Sequence, residues 1–525
     1  MFRSPVVTTR HLWTGLPLFI LLWKCFLFPL PMLDFWWHLK AGEVIVTSRT
    51  IPTADIFSFT AEGKPFVLGN WLAEVIYYLL YRLGNLELLL FGNALLVTAA
   101  FLAVYSLCWQ ATDRFRVRIF CAAIAALCFS VGVRTQVFSF FFFALYYWVL
   151  WQLHTRRRNL LWILPVLMIF WVNLHGGFFL GLALISIFLC AECANRCLRS
   201  NLERLPLKEL RQIVFIFLLC LIATGANPQG YHVYTYVWTV ASDPSSQKLV
   251  IEWQPPSIET ARGMLLFFGP FFMTLVALVY SRRRPHPTEV ALFVVSAAFA
   301  FTAMRNGIWF IILNIPLLAR CFPDSLDQRH EKPYFASTTS DDAIRQQTHY
   351  TRVMQRPLDV VLACLALFVL ALLSPWVHPR VYGGDLLAPE TPVRAVDFVQ
   401  SRGIKGKMFH PQEYGDYLIW RLWPQQRSFI DGRVHLFGEA FVREYQQVFC
   451  DSNWEESLAR YGIEYLLLKK DPDQAEHQRL LESVRNSGRW IMLYEDNLSI
   501  LFEKSNPHGM SGVQRQSGTR SQPPP

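Results

Sequence analysis

The reading of this chain turns on L-D-F-W-W-H-L-K-A-G, Leu33–Gly42, which opens a polar stretch continued by I-P-T-A-D-I-F-S-F-T-A-E-G-K-P-F (Ile51–Phe66) and G-N-W-L-A-E (Gly69–Glu74). Carboxylates, a histidine and a lysine stand among aromatic and aliphatic residues, between two apolar segments that belong in a bilayer. Pro31 and Asp34 predict a helix from Asp34 through about Arg49, because an aspartate accepts hydrogen bonds from the free amides of a first turn. Helical spacing puts Asp34, Trp37, His38 and Ala41 on one face and Phe35, Trp36 and Leu39 on the opposite one. Tryptophan favours the membrane interface, so the expectation is a helix lying along the surface and offering a carboxylate and an imidazole. The plainer alternative makes Asp34 an N-cap only and His38 an interfacial side chain only.

Composition sets the class around this stretch. Of 525 residues 53% are hydrophobic and 15% aromatic, and uncharged stretches recur; mean hydropathy is +0.27. That is the signature of a polytopic α-helical membrane protein, and it excludes a soluble enzyme. The formal charge of +10 sits largely in short clusters beside apolar segments, where it fixes orientation and meets anionic lipid; the bilayer is the implied partner and nucleic acid is not. Cys190, Cys193 and Cys197 have a CxxC spacing without a nearby histidine, at the end of an apolar helix, which argues against a metal site there. Arg3, Arg10 and His11 precede an apolar run without a small-residue cleavage site, read as an uncleaved first span.

Apolar segments fall near 16–33, 70–83, 86–109, 119–133, 136–153, 160–173, 177–194, 212–225, 263–280, 288–304, 306–321 and 357–375. Basic clusters at Arg114 to Arg118, Arg156 to Arg158, Arg196 to Arg211 and Arg282 to Arg284 are expected in the cytoplasm. They agree with one another and with a cytoplasmic N-terminus only if one early segment fails to cross, and the short run 70–83, with Glu74 in it, is the best choice, as a half-helix or interfacial helix; a crossing there is the alternative. About eleven crossings result, in an inner (plasma) membrane, with the C-terminal region outside. The expected domains are a multi-span region 1–375 with an external loop 34–69, an extracytoplasmic α/β domain 376–504, and a disordered tail 505–525. Residues 322–356 read as a long irregular cytoplasmic loop.

On that topology the outer face collects several polar pieces. Asn173 and His175 lie in N-L-H-G-G, a tight turn between apolar helices, and polar residues at membrane depth usually face a cavity. The loop from Gly225 to Arg262 is rich in turn formers and aromatics; Trp253 there either stacks on a sugar ring or anchors at the interface. Arg305, alone between two apolar segments, either snorkels or binds an anion, and Arg134 is a similar case. Beyond the last span, Pro392 to Ser505 alternate helical and strand patterns. Strands are expected at Lys407–Phe409, Arg427–Ile430 and Ile463–Leu468, with two more ending at Phe502, as in a small α/β domain of roughly 110 residues. Asp431 and Arg433, in F-I-D-G-R just past a strand end, are either a ligand site or a structural pair.

Asp34 after the first span, the G-x-x-I of Gly42 to Ile45, Pro52, Asp55, the G-K-P of Gly63 to Pro65 and the apolar run that follows resemble the first external loop of the GT-C membrane glycosyltransferases. The resemblance is strongest to bacterial relatives of the protein mannosyltransferases and of the aminoarabinose transferases acting on lipid A. It covers this loop and the general layout. The carboxylate pair usual in those families is here a single Asp34 beside Phe35. The resemblance implies a polyprenyl-phosphate-linked sugar donor and inversion at the anomeric carbon, and it leaves the envelope, lipid or protein acceptor open. Asp34 is then the general base, Arg305 the first choice for the phosphate, with Lys64 and His175 behind it. His38 and Asp55 orient the acceptor or, with Asp34, a Mg or Mn ion. The rival classes are a lipid-linked saccharide transporter or flippase, and a non-catalytic assembly protein.

Overall fold

The computed structural model describes residues 8–197, 203–249, 251–323, 358–379, 386–450, 453–472 and 474–505. Most of the expected loop 322–356 and of the tail 505–525 lies outside them. The chain divides into two compact units, one of residues 1–55 and 63–389, the other of 56–62 and 390–525. Seven residues of the stretch expected as one external loop thus belong to the second unit.

The first unit is a multi-pass helical membrane body. Among the described residues five helices are long and apolar enough to cross a bilayer: Trp71–Ala111, Gln136–His154, Gly176–Cys197, Leu207–Ala226 and Ala261–Tyr280, with shorter apolar helices at Ile163–Leu174, Pro287–Thr302 and Leu358–Leu373. In chain order we name α1 Thr9–Leu27, α2 Trp36–Ser48, α3 Trp71–Ala111, α4 Phe115–Cys128, α5 Gln136–His154, α6 Ile163–Leu174 and α7 Phe179–Cys197. α8 is Leu207–Ala223, α9 Val233–Ser242, α10 Pro244–Leu249, α11 Ala261–Tyr280, α12 Pro287–Thr302 and α13 Gly307–Cys321. The core sits on α5, 78% buried over its apolar window, and on α13, almost every residue of which is buried. Phe140 and Phe143 of α5 meet Trp309 of α13 edge to face at 5.4 and 5.0 Å, a geometry favourable to aromatic pairs. The α8 and α11 windows are only 28% buried; Phe215, Leu218, Ile222, Phe272, Val276 and Val279 are exposed there, as side chains facing acyl chains should be.

In this unit two expectations need correction. Helix α2 starts at Trp36, not Asp34, and both of its faces are buried: Trp36, Trp37, His38, Leu39 and Ala41 are at most 5% exposed. It is packed against α3 and does not float as an interfacial helix. The expected separation of 70–83 from 86–109 is matched: α3 is two helices joined at Gly84 and Asn85, whose backbone leaves the helical region. The loop after Gly225 carries α9 and α10 between its turns.

In the second unit a four-stranded sheet has the order β1-β2-β4-β3, with β1 Met408–Phe409, β2 Tyr465–Lys469, β3 Trp490–Glu495 and β4 Ser499–Lys504. β1 runs parallel to β2; β4 is antiparallel to both β2 and β3, with Leu467 opposite Leu501. Helices at Val393–Ser401, Gln412–Leu422, Glu439–Cys450, Trp454–Arg460 and Ala475–Ser487 complete it. The strand expected at Arg427–Ile430 does not join this sheet. Ser428 bridges Ser58 instead, its amide donating to the Phe57 carbonyl at 3.0 Å while Phe59 N–H donates to the Ser428 carbonyl at 3.1 Å. An extended apolar run satisfies its backbone wherever a partner lies, and here that partner is the stretch Ile56–Glu62.

Candidate functional site

Asp34 lies in the short connection between α1 and α2. The Trp36 indole donates to the Pro31 carbonyl at 3.0 Å and the buried Phe35 ring packs on Trp36 at 4.9 Å. These anchors leave Asp34 at φ +68°, in the left-handed region that aspartate tolerates better than most residues. No side chain caps the start of α2, so Asp34 is not its N-cap. The carboxylate, 46% exposed, has its Oδ2 4.0 Å from Arg134 Nε.

Arg134 belongs to the turn before α5, and its guanidinium also grips Glu252. Glu252 in turn is 3.4 Å from Arg262. Next to it, the Trp253 ring carries the Arg305 guanidinium at 4.4 Å, within cation–π range. Asp34, Arg134, Glu252, Arg262 and Arg305 thus form an array with one more guanidinium than carboxylate, a balance that favours an added anion. Enclosure pushes the Asp34 carboxyl above its ordinary range, against the pull of Arg134 and Arg305. Burial also works against ionised Glu252, but the charge and hydrogen bond of Arg134 outweigh it and hold that carboxyl below the ordinary range.

Beside the array lies a cavity of about 760 Å³ lined by His175, Trp253 and Arg305 together with Asn70, Tyr236 and Trp309. His175 follows α6 in extended backbone. Its Nδ1 accepts from the Gly177 amide at 2.9 Å and lies 2.7 Å from Ser139 Oγ, a hydroxyl that already accepts from the Trp171 indole. With Nδ1 an acceptor, Nε2 carries the proton of a neutral ring. A side chain on Gly177 would meet Ser139 Oγ at 2.6 Å, which accounts for the second glycine of N-L-H-G-G.

The other nominated residues separate from this group. His38 turns to Glu74 of α3 at 2.8 Å, both buried. Asn173 accepts from the Trp71 indole at 2.8 Å and donates to the Ile169 carbonyl. Asp55 is 2% exposed and Lys64 exposed, in a hairpin where the Asp55 amide donates to the Lys64 carbonyl at 2.9 Å. Asp431 and Arg433 form a fully buried two-point pair at 2.9 and 2.6 Å in the second unit, the geometry of the structural alternative. A divalent ion fits poorly at Asp34: the guanidinium of Arg134 holds the place between Asp34 and Glu252 that such an ion would need. Glu252 carried no signal of its own in the sequence, because an acid in an aromatic loop reads as an ordinary surface group.

No protein-family model and no curated protein matches the chain, but solved structures do. The archaeal oligosaccharyltransferase AglB from Archaeoglobus fulgidus, in complex with an inhibitory peptide and a dolichol-phosphate, is 11% identical, with a TM-score of 0.57 over 95% of this chain and 74% of that one. Its apo form gives 12% and 0.54, over 95% and 75%. ArnT from Cupriavidus metallidurans in the apo state is 13% identical, with a TM-score of 0.50 over 94% and 97%. At such identities the likeness speaks for the fold: a GT-C architecture with a small C-terminal sheet domain.

Proposed function

We propose that this chain, built on the GT-C fold, is a membrane glycosyltransferase that moves a sugar from a polyprenyl-phosphate donor to an acceptor hydroxyl or amide at the outer membrane face. The observation that carries the reading is Asp34: a carboxylate held in left-handed backbone and set in a guanidinium-rich array beside a large cavity. A lipid-phosphate sugar brings its own leaving group, so the protein must supply a base and a charge for the departing phosphate.

Asp34 takes the acceptor proton as the acceptor atom bonds to the anomeric carbon. The bond from that carbon to the phosphate oxygen breaks, and its electron pair leaves with the phosphate, which Arg305 receives in a two-point fork. Attack opposite the leaving group inverts the anomeric centre. Arg134 and Glu252 position Asp34 and Arg305. His175, as an Nε2–H donor on the cavity wall, orients the donor. The peptide and dolichol-phosphate of the AglB complex support a lipid-linked donor and leave the acceptor open.

The test is incubation of purified full-length protein with polyprenyl-phosphate sugars and candidate acceptors. Release of polyprenyl phosphate with a new glycosidic bond, lost in Asp34→Asn, is expected. Labelled lipid that crosses a reconstituted bilayer with no new bond would put transport in its place.

A further inference from the structure

Helices α5, α7, α12 and α13 each run from the cavity to a second concavity at the opposite end of the membrane body. α5 begins at the cavity with Gln136 and ends at His154; α7 passes from Leu180 to Glu192, α12 from Thr302 back to its N-cap residue His286, and α13 from Trp309 to Arg320. α5 alone covers roughly 28 Å by helical rise, close to the ~30 Å of a hydrocarbon core. The second recess, of about 210 Å³, therefore lies at headgroup depth on the other face.

Arg156, Arg204, Arg284 and Arg320 line this recess. They come from four separate places: just past α5, just before α8, between α11 and α12, and the last turn of α13. Positive charge spread along loops is enough to orient a membrane protein; it does not require guanidiniums to converge on one hollow. The acids in the recess are Glu192 and Glu203, while Glu289 holds Arg320, so four guanidiniums meet three carboxylates. Glu192, 3% exposed, is engaged at the floor: Thr288 Oγ1 donates to its Oε1 at 2.8 Å, and His154 Nδ1 lies 3.2 Å from the same oxygen. Arg156 donates to the Arg204 carbonyl at 2.7 Å and approaches the exposed Glu203 carboxylate only to 4.0 Å. Arg284 is exposed and has no carboxylate partner among the described residues. The recess also borders a lipid-facing surface. Leu205 lines it, and Leu207, at the start of α8, is 54% exposed.

We propose that this recess binds the phosphate of an anionic lipid headgroup, with Arg156 and Arg284 as its principal ligands and the exposed start of α8 beside an acyl chain. Guanidinium meets phosphate oxygens in a two-point fork, and basic pockets between membrane helices suit such headgroups. A soluble phosphate offers the same chemistry, but the charge count favours the lipid. A phosphodiester carries one negative charge, equal to the excess in the recess, whereas a phosphate monoester carries close to two. The bound lipid ties together the ends of α5, α12 and α13, a helix length away from the transfer site.

The test titrates the full-length protein in detergent with phosphatidylglycerol or phosphatidylcholine and counts retained lipid by native mass spectrometry. One phosphatidylglycerol per chain, held under conditions that strip phosphatidylcholine, is expected. The double variant Arg156→Gln/Arg284→Gln should weaken its retention by about 30-fold. Both side chains are exposed, so melting should stay that of the parent. The control Arg282→Gln/Arg283→Gln removes the same charge from the neighbouring exposed positions outside the recess and should retain lipid like the parent. Equal retention of the two lipids, an unaffected recess variant, or a control that loses lipid as fully as the recess variant overturns the proposal. Displacement of phosphatidylglycerol by millimolar inorganic phosphate overturns it as well, in favour of a soluble ion.

Discussion

Asp34 holds a left-handed backbone angle that costs a residue with a Cβ on the order of 1 kcal/mol. Asparagine tolerates the same angle, so Asp34→Asn removes the charge without disturbing the turn. We expect that variant to melt like the parent and to lose transfer by about 10²–10⁴-fold, the range typical of a general base; parental turnover would sink the assignment. Because the Asp34 carboxyl is raised, the base form is lost at a higher pH than for an ordinary carboxylate, and the acid limb of the rate profile should shift accordingly. Arg305→Lys keeps charge but not the fork, and should retain part of the activity that Arg305→Ala loses. At His410 the buried ring donates from Nδ1 to the Pro411 carbonyl and accepts at Nε2 from the Phe429 amide, both at 2.9 Å. Burial pushes its pKa down to about 4, while the unfolded chain titrates near 6.5. The unfolded state therefore takes the proton first as pH falls, and stability present above about 6.5 is lost progressively toward 4, on the order of 3 kcal/mol in all. Melting of the full chain between pH 7 and 4.5 reads this, and His410→Gln should flatten the dependence.

Between elements, the tightest junction is that of α2 with α3. A Cβ on Gly42 would stand 2.1 Å from the Glu74 carbonyl oxygen, which gives the glycine of the G-x-x-I motif a packing reason. Gly42→Ala should therefore cost about 1–3 kcal/mol, read as a lower melting temperature in detergent, and should weaken the neighbouring His38–Glu74 contact. In the second unit the Asp431–Arg433 pair is closed on itself and the Arg433 guanidinium lies over the Phe57 ring at 5.2 Å. Arg433→Met leaves a buried carboxylate without its partner, an effect of about 3–5 kcal/mol. Lost binding or catalysis with melting unaltered would instead mark the pair as a ligand site. The helices were legible from period and length, and α5, α7 and α11 fall close to the expected spans. Strand Arg427–Ile430 was misjudged because an extended run does not announce its partner.

For the molecule as a whole, Cys450 is exposed and is the cysteine of the second unit. In a variant keeping only that thiol, an impermeant maleimide added to intact cells should label it, as the positive-inside reading requires; protection would reverse the topology. What the sequence determined by itself was the membrane class, most span positions and the importance of the loop around Asp34, since hydropathy, charge clusters and a polar island between spans are local properties. What only the tertiary structure decided was which charges meet. Arg134, Glu252 and Arg305 reach the neighbourhood of Asp34 across 100 to 271 positions of chain (134 − 34 and 305 − 34), and a pairing at that range depends on how helices pack, which no local pattern of residues encodes.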